Sequence, residues 1–213
     1  MENLISEVLS YSMDSTWWAL NANKRKEVLE NAALLLSSWK RKSNAAKAGI
    51  YASLRHDSDL IVWLMAPEAE SILNAKAQIE KLFSKYGTHA DGFLSVYAQG
   101  KERLPTKQHR YFVAYPMSKL PEWYLLGESE RKAIVAEHVK IAVNSSHNNG
   151  VISYTTESFG IGDNEFVVIY ELKDLPSWVS VTKELRSARA RKWISNESPI
   201  LVGANDLSAL WCK

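Results

Sequence analysis

Cysteine is nearly absent from this 213-residue chain: the one example, Cys212, stands next to the last residue. An internal disulfide and a cysteine-based metal cluster within one chain are thereby excluded, so any redox chemistry must come from a bound cofactor. An excess of charge of one sign is lacking as well. A formal balance of +2 is too small to argue for nucleic acid or a basic membrane patch. No apolar run approaches the roughly 18 residues that cross a bilayer. The start Met1-Glu2-Asn3-Leu4 lacks the basic-then-apolar pattern of a signal peptide. A cytoplasmic protein with neither membrane nor nucleic-acid partners is expected. Core material, by contrast, is plentiful, with 46% hydrophobic residues and 8 tryptophans.

The chain is written twice. Trp17, Leu20, Arg25 and Lys26 recur 106 positions later as Trp123, Leu126, Arg131 and Lys132. The same offset carries Asp57-Ser58-Asp59-Leu60-Ile61-Val62 onto Asp163-Asn164-Glu165-Phe166-Val167-Val168, and Leu94 and Val96 onto Ile200 and Val202. Each copy should be one supersecondary unit, which divides the chain into residues 1–105 and 106–213. Positions shared by both copies are scaffold candidates, and positions that differ are candidates for chemistry. His138 falls opposite Ala32.

Within a copy the pattern reads strand, helix, two strands, helix, strand. In the first, a strand is expected over 3–13 and a helix over about Asn23 to Trp39, where Val28, Leu29, Ala32, Leu35 and Leu36 hold helical spacing. A hairpin follows from Gly49 to Met65, turning at His56-Asp57-Ser58. Pro67 is expected in the first turn of the next helix, with Glu68 and Glu70 near the positive end of its dipole, and a strand from Gly92 to Gln99 closes the unit. The second copy predicts a strand at Arg110–Met117, a helix at Glu128–Asn144, a hairpin from Val151 to Tyr170, a helix after Pro176 and a strand at Ile200–Val202. Between the copies, Gly100–His109 reads as an exposed charged connector. The βαββαβ order is ferredoxin-like, and two such α+β units can pack sheet to sheet in a dimeric α+β barrel.

In the second copy, Tyr115-Pro116-Met117-Ser118-Lys119, Trp123-Tyr124-x-Leu126, Glu130-Arg131-Lys132, Glu137-His138 and Ser158-x-Gly160-x-x-Asp163-x-Glu165-Phe166 follow in order. This series resembles the chlorite dismutase family, which includes coproheme decarboxylases. The resemblance implies haem b or iron coproporphyrin as cofactor, held by the second unit, with His138 as the proximal iron ligand, a task that suits a neutral imidazole. It implies that Tyr115 is a redox-active phenol beside a reacting propionate. Lys119 would contact a propionate, Met117 would share its strand face, and Trp123 would pack near the porphyrin. Hydrogen peroxide is the implied oxidant and a homopentamer the implied assembly.

By residue pattern alone, the bland readings are a satisfied core or surface histidine at 138, an amphipathic strand face at 115–119, and a core tryptophan at 123. Trp17 and Arg25 occur in the copy without the histidine, so Trp123 and Arg131 read first as scaffold. Departures from the family matter too. Val151-Ile152-Ser153-Tyr154-Thr155 lacks the distal arginine of true chlorite dismutases, and Ala188-Arg189-Ala190-Arg191-Lys192-Trp193 reads first as a solvated helix end, with contact of its arginines to propionates as the alternative. A peroxide-dependent haem oxidoreductase, coproheme decarboxylase-like or a haem peroxidase and not a true chlorite dismutase, is therefore expected. The competing readings are a haem-handling protein with little turnover and a haem-free structural member.

Overall fold

The segment Leu60–Ala66 is buried at every position, which requires cover on both faces of the sheet it joins. Its alternate residues do point two ways: Leu60, Val62 and Leu64 pack with helices, while Ile61, Trp63 and Met65 pack inside a barrel. The computed structural model describes residues 3–98, 104–105 and 108–212. The expected connector Gly100–His109 lies mostly outside them.

The first half comprises β1 (Asn3–Met13), α1 (Ser15–Trp18), α2 (Ala22–Lys42), β2 (Lys47–Ser53), β3 (Leu60–Ala66), α3 (Ala69–Phe83) and β4 (Gly87–Ala98). The second comprises β5 (Tyr111–Lys119), α4 (Glu122–Leu125), α5 (Glu128–Asn144), β6 (Val151–Glu157), β7 (Phe166–Leu172) and α6 (Leu175–Leu185). A 3-10 turn (Arg189–Trp193), β8 (Ile194–Asn196), β9 (Leu201–Ala204) and a second 3-10 turn (Leu207–Leu210) complete it. Local chemistry sets several boundaries. Asp14, Asn21 and Asp174 accept hydrogen bonds from the first free N–H groups of α1, α2 and α6, and Pro176 occupies the first turn of α6 where no donor is needed.

Two expectations shift. Pro67 precedes α3 instead of entering it, because Glu68 is the N-cap and only Glu70 lies in the first turn. The closing strand of the second half is broken into β8 and β9, separated by Pro199, which follows a cis peptide bond.

The strands form one sheet in the order β7-β6-β4-β1-β3-β2-β9-β5-β8, and pairing of β5 with β7 closes it into a barrel with β8 at the margin. Each half contributes four barrel strands. The seams between halves are short: Val96 opposite Glu157 on one side, and Ala52 and Ser53 opposite Ala204 and Gly203 on the other. Side chains from both halves therefore have to hold the interior together. Tyr51 stacks on Phe112 with ring centroids 4.7 Å apart, and Trp63 meets Tyr154 edge-on at 5.3 Å.

One ion pair is also enclosed. Lys47 Nζ of β2 lies 2.5 Å from Glu171 Oε2 of β7, with side chains 5% and 1% exposed. Tyr154 donates to the same carboxylate oxygen at 2.7 Å, and Lys47 also donates to the carbonyl of Pro105 at 2.7 Å. Removing one member would strand a buried charge. Lys47→Met is expected to cost about 3–5 kcal/mol in urea unfolding, whereas Lys47→Met/Glu171→Gln should recover most of that loss. Equal losses in the single and double variants would show that the charge pairing is not what holds the seam.

Candidate functional site

The offset between the copies turns the first half into an internal control for the second. In the first half, Leu9, Tyr11 and Met13 of β1, Leu60, Val62 and Leu64 of β3, Leu29 and Ala32 of α2, and Phe83 of α3 are all buried in one core. Their counterparts in the second half are Tyr115, Met117, Lys119, Phe166, Val168, Tyr170, Val135, His138 and Arg189. That substitution empties the space. Leu29 is fully buried while Val135 is 47% exposed, and the aromatic fillers Phe83 and Tyr86 have become Arg189 and Lys192. A cavity of about 340 Å³ opens between the sheet and helices α5 and α6, within the range usual for small-molecule sites.

All five residues singled out from the sequence line this cavity: Tyr115, Met117, Lys119, Trp123 and His138. Tyr115, Met117 and Lys119 alternate along β5 and so share the face turned to the helices. Trp123, brought in by α4, is also core, packed with Ile134 and Ala190. His138 comes from α5 and is half-buried. Its Nδ1 is enclosed and has no hydrogen-bond partner among the described residues. Burial, helped by the charges of Lys119 and Arg191, holds its pKa below the usual 6.5. The ring is thus kept neutral with a buried nitrogen that no protein group satisfies, a state suited to a metal ligand.

Tyr115 sits in an aromatic stack. Its ring centroid is 6.1 Å from that of Tyr170, which is 4.2 Å from Trp178. Burial, followed by the neighbouring Tyr170, raises its pKa far above the ordinary phenol value. The phenol stays protonated. Lys119 lies over Trp123 with Nζ 4.8 Å from the ring centroid, and burial lowers its pKa while Glu197 opposes that shift and Arg191 adds to it.

Several lining residues lie beyond those five. Arg186, Arg191 and Glu197 sit at the cavity's charged end, Tyr170 pairs with Tyr115, and Thr155 is the β6 residue on the sheet wall. Arg191 corrects the expectation of a solvated helix end: α6 stops at Leu185, and the 3-10 turn brings Arg191 to the cavity, where it contacts Glu197 at 2.6 Å. Arg189 instead pairs with Glu137. Arg186 stands where the first copy has Glu80, a readable charge reversal, whereas Arg191 stands opposite Lys85 and gave no such signal. These walls fit a flat, largely apolar ring system bearing anionic substituents at one edge and offering a metal to His138.

The family model of chlorite dismutase matches residues 25–205. A curated relative, the coproheme decarboxylase of Mycolicibacterium smegmatis, is 26% identical over 192 residues, covering 84% of this chain and 81% of that protein. Among solved structures, a protein classed with the chlorite dismutases superposes with a TM-score of 0.88 at 37% identity, covering 98% of this chain and 99% of the other. A haem-binding protein from Thermus thermophilus shares the fold, with a TM-score of 0.83 at 21% identity over 99% of this chain and 94% of its own.

The electrostatics of His138 give a pH prediction. A folded pKa below the unfolded value means that neutral His138 favours the folded state fully above about pH 6.5. That contribution falls away as pH drops from there through the folded pKa. In a histidine NMR titration of the protein alone, the His138 ring should therefore titrate below pH 6.5. A midpoint at or above that value would contradict the burial argument.

Proposed function

Because the chain belongs to the chlorite dismutase family, we propose that it binds an iron porphyrin in the cavity of its second half and, with hydrogen peroxide, removes carboxylates from coproheme. The observation that carries this reading is the emptied core of the second copy, with His138 where the first copy has Ala32. The name of the Mycolicibacterium smegmatis relative supports the choice of substrate.

In this reading His138 holds the iron through its neutral imidazole. The bound iron porphyrin supplies oxidising capacity once peroxide arrives. Tyr115 would pass a hydrogen atom from its buried, protonated phenol to the peroxide-oxidised haem and take one back from the adjacent propionate. With the second electron of that propionate also going to the haem, carbon dioxide leaves and a vinyl group remains, two electrons in all, matching the two that one peroxide accepts. Tyr170 holds the Tyr115 ring in place through their stacking, with centroids 6.1 Å apart. Lys119 places its ammonium against a carboxylate as a point charge. Met117, Phe166, Val168 and Trp178 exclude water from the ring faces. A cytoplasmic homopentamer belongs to the same proposal, and exposed Leu125, Val139 and Val143 offer apolar area for such contacts.

One observation favours a haem-handling protein with little turnover: the sheet wall offers Thr155 and Val168, not an arginine, opposite the helix bearing His138. Tyr115→Phe decides between these readings. It keeps the ring and removes the only hydrogen atom the phenol can lose, so coproheme affinity should persist within a few-fold. Porphyrin mass followed during stepwise peroxide addition should show wild type losing carboxylates and the variant slowed by orders of magnitude. Equal rates would refute the role of Tyr115, and no loss from either protein would select the haem-handling reading. For Lys119→Met, affinity should fall by the equivalent of about 0.2–1 kcal/mol at low ionic strength, and unchanged affinity would remove Lys119 from the site.

A further inference from the structure

Three cations and one carboxylate meet at the charged end of the cavity. Arg191 lies 2.6 Å from Glu197 Oε1, Arg186 lies 3.4 Å from Glu197 Oε2, and Lys119 lines the same end. Glu197 occupies the place that a ligand carboxylate would seek, since it is the acidic residue among the lining side chains there. Glu165 is directed elsewhere: its carboxylate accepts the backbone N–H of Lys119 at 2.7 Å. Glu137 is bound to Arg189.

The backbone holds Glu197 in position. Strand β8 pairs Asn196 with Ser118 and Ile194 with Lys119, the N–H of Leu120 donates to the carbonyl of Trp193 at 2.8 Å, and Asn196 donates to Asn164 at 3.1 Å. One segment thus supplies all three members, with Arg186 at the end of α6, Arg191 in the 3-10 turn and Glu197 after β8. The electrostatic coupling runs across the cavity, because the charges of Glu197 and Arg191 act in opposite directions on both Lys119 and His138. A carboxylate that bridges two arginines without being fully buried is exchangeable: Glu197 is 23% exposed, Arg191 28% and Arg186 59%.

From this geometry we propose that Glu197 is a built-in counter-carboxylate. It holds Arg186 and Arg191 in place without ligand and cedes them to a carboxylate of the incoming porphyrin. The proposal rests on the porphyrin reading and adds a competitor for the ligand's acidic edge. Charge balance explains why the competitor is useful: Arg186, Arg191 and Lys119 without Glu197 would place three unopposed positive charges at one end of a largely apolar cavity.

Iron-free coproporphyrin tests it, since its binding does not depend on ligation by His138. Binding is read from porphyrin fluorescence. Glu197→Gln should tighten binding roughly two- to fivefold at low ionic strength, the span of a partly exposed ion pair, and the gain should fade in high salt. Arg191→Gln should weaken binding, and in Arg191→Gln/Glu197→Gln the gain from the Gln should disappear. The uncharged tetramethyl ester of coproporphyrin should bind Glu197→Gln and wild type equally. The proposal is overturned if Glu197→Gln binds coproporphyrin no more tightly than wild type, or if the ester gains as much. Failure of every variant and of wild type to bind any porphyrin would instead overturn the reading beneath it.

Discussion

This sheet is apolar on both faces and must be covered on both, and the candidate site exists because cover on one face runs short in the second half. The first half shows what full cover requires: Leu29, Ala32, Phe83 and Tyr86 close over Leu9, Tyr11, Leu60 and Leu64 in one core. The second half keeps the frame and changes the filling. Apolar volume is replaced by Val135, His138, Arg189 and Lys192 at the same positions of the repeat. An internal void in a protein would ordinarily be costly, yet this one carries a half-buried histidine, a protonated phenol and a lysine on its walls.

The barrel makes that asymmetry tolerable. Its interior is shared by both halves and closed by stacked aromatics and the Lys47–Glu171 pair, so the strands bearing the cavity wall are supported from behind. Tyr115, Met117 and Lys119 face the cavity while Phe112 and Ala114 of the same strand are locked in the barrel core. Low dielectric then sets the chemistry of the wall: burial keeps His138 neutral and Tyr115 protonated, and it lowers the pKa of Lys119 against the pull of Glu197.

Much of this could be read from the chain. The repeat matched helix Glu128–Asn144 to α2 and β7 to β3, because Trp17 and Trp123, Arg25 and Arg131, and Val62 and Val168 keep one offset. The pairing of His138 with Ala32 in the repeat already pointed to the cavity. Other features depended on tertiary context. Arg191 reaches the cavity only because α6 ends at Leu185 and the chain tightens into a 3-10 turn, which local pattern does not specify. Lys47 and Glu171 sit inside the barrel although charged residues usually read as surface. Tyr170, at the position of the fully buried Leu64, carried a usable signal: a polar tip in place of an aliphatic core residue.

The most direct measurement is an absorption titration of ferric coproporphyrin into wild type and His138→Ala, with iron-free coproporphyrin as the companion ligand. Wild type should show a saturable Soret shift at one porphyrin per chain. His138→Ala should lose that ferric signature or the tight phase of binding, while keeping iron-free porphyrin affinity within a few-fold, because the cavity walls remain. Identical ferric spectra and affinities for the two proteins would contradict His138 as the residue around which the second half was hollowed.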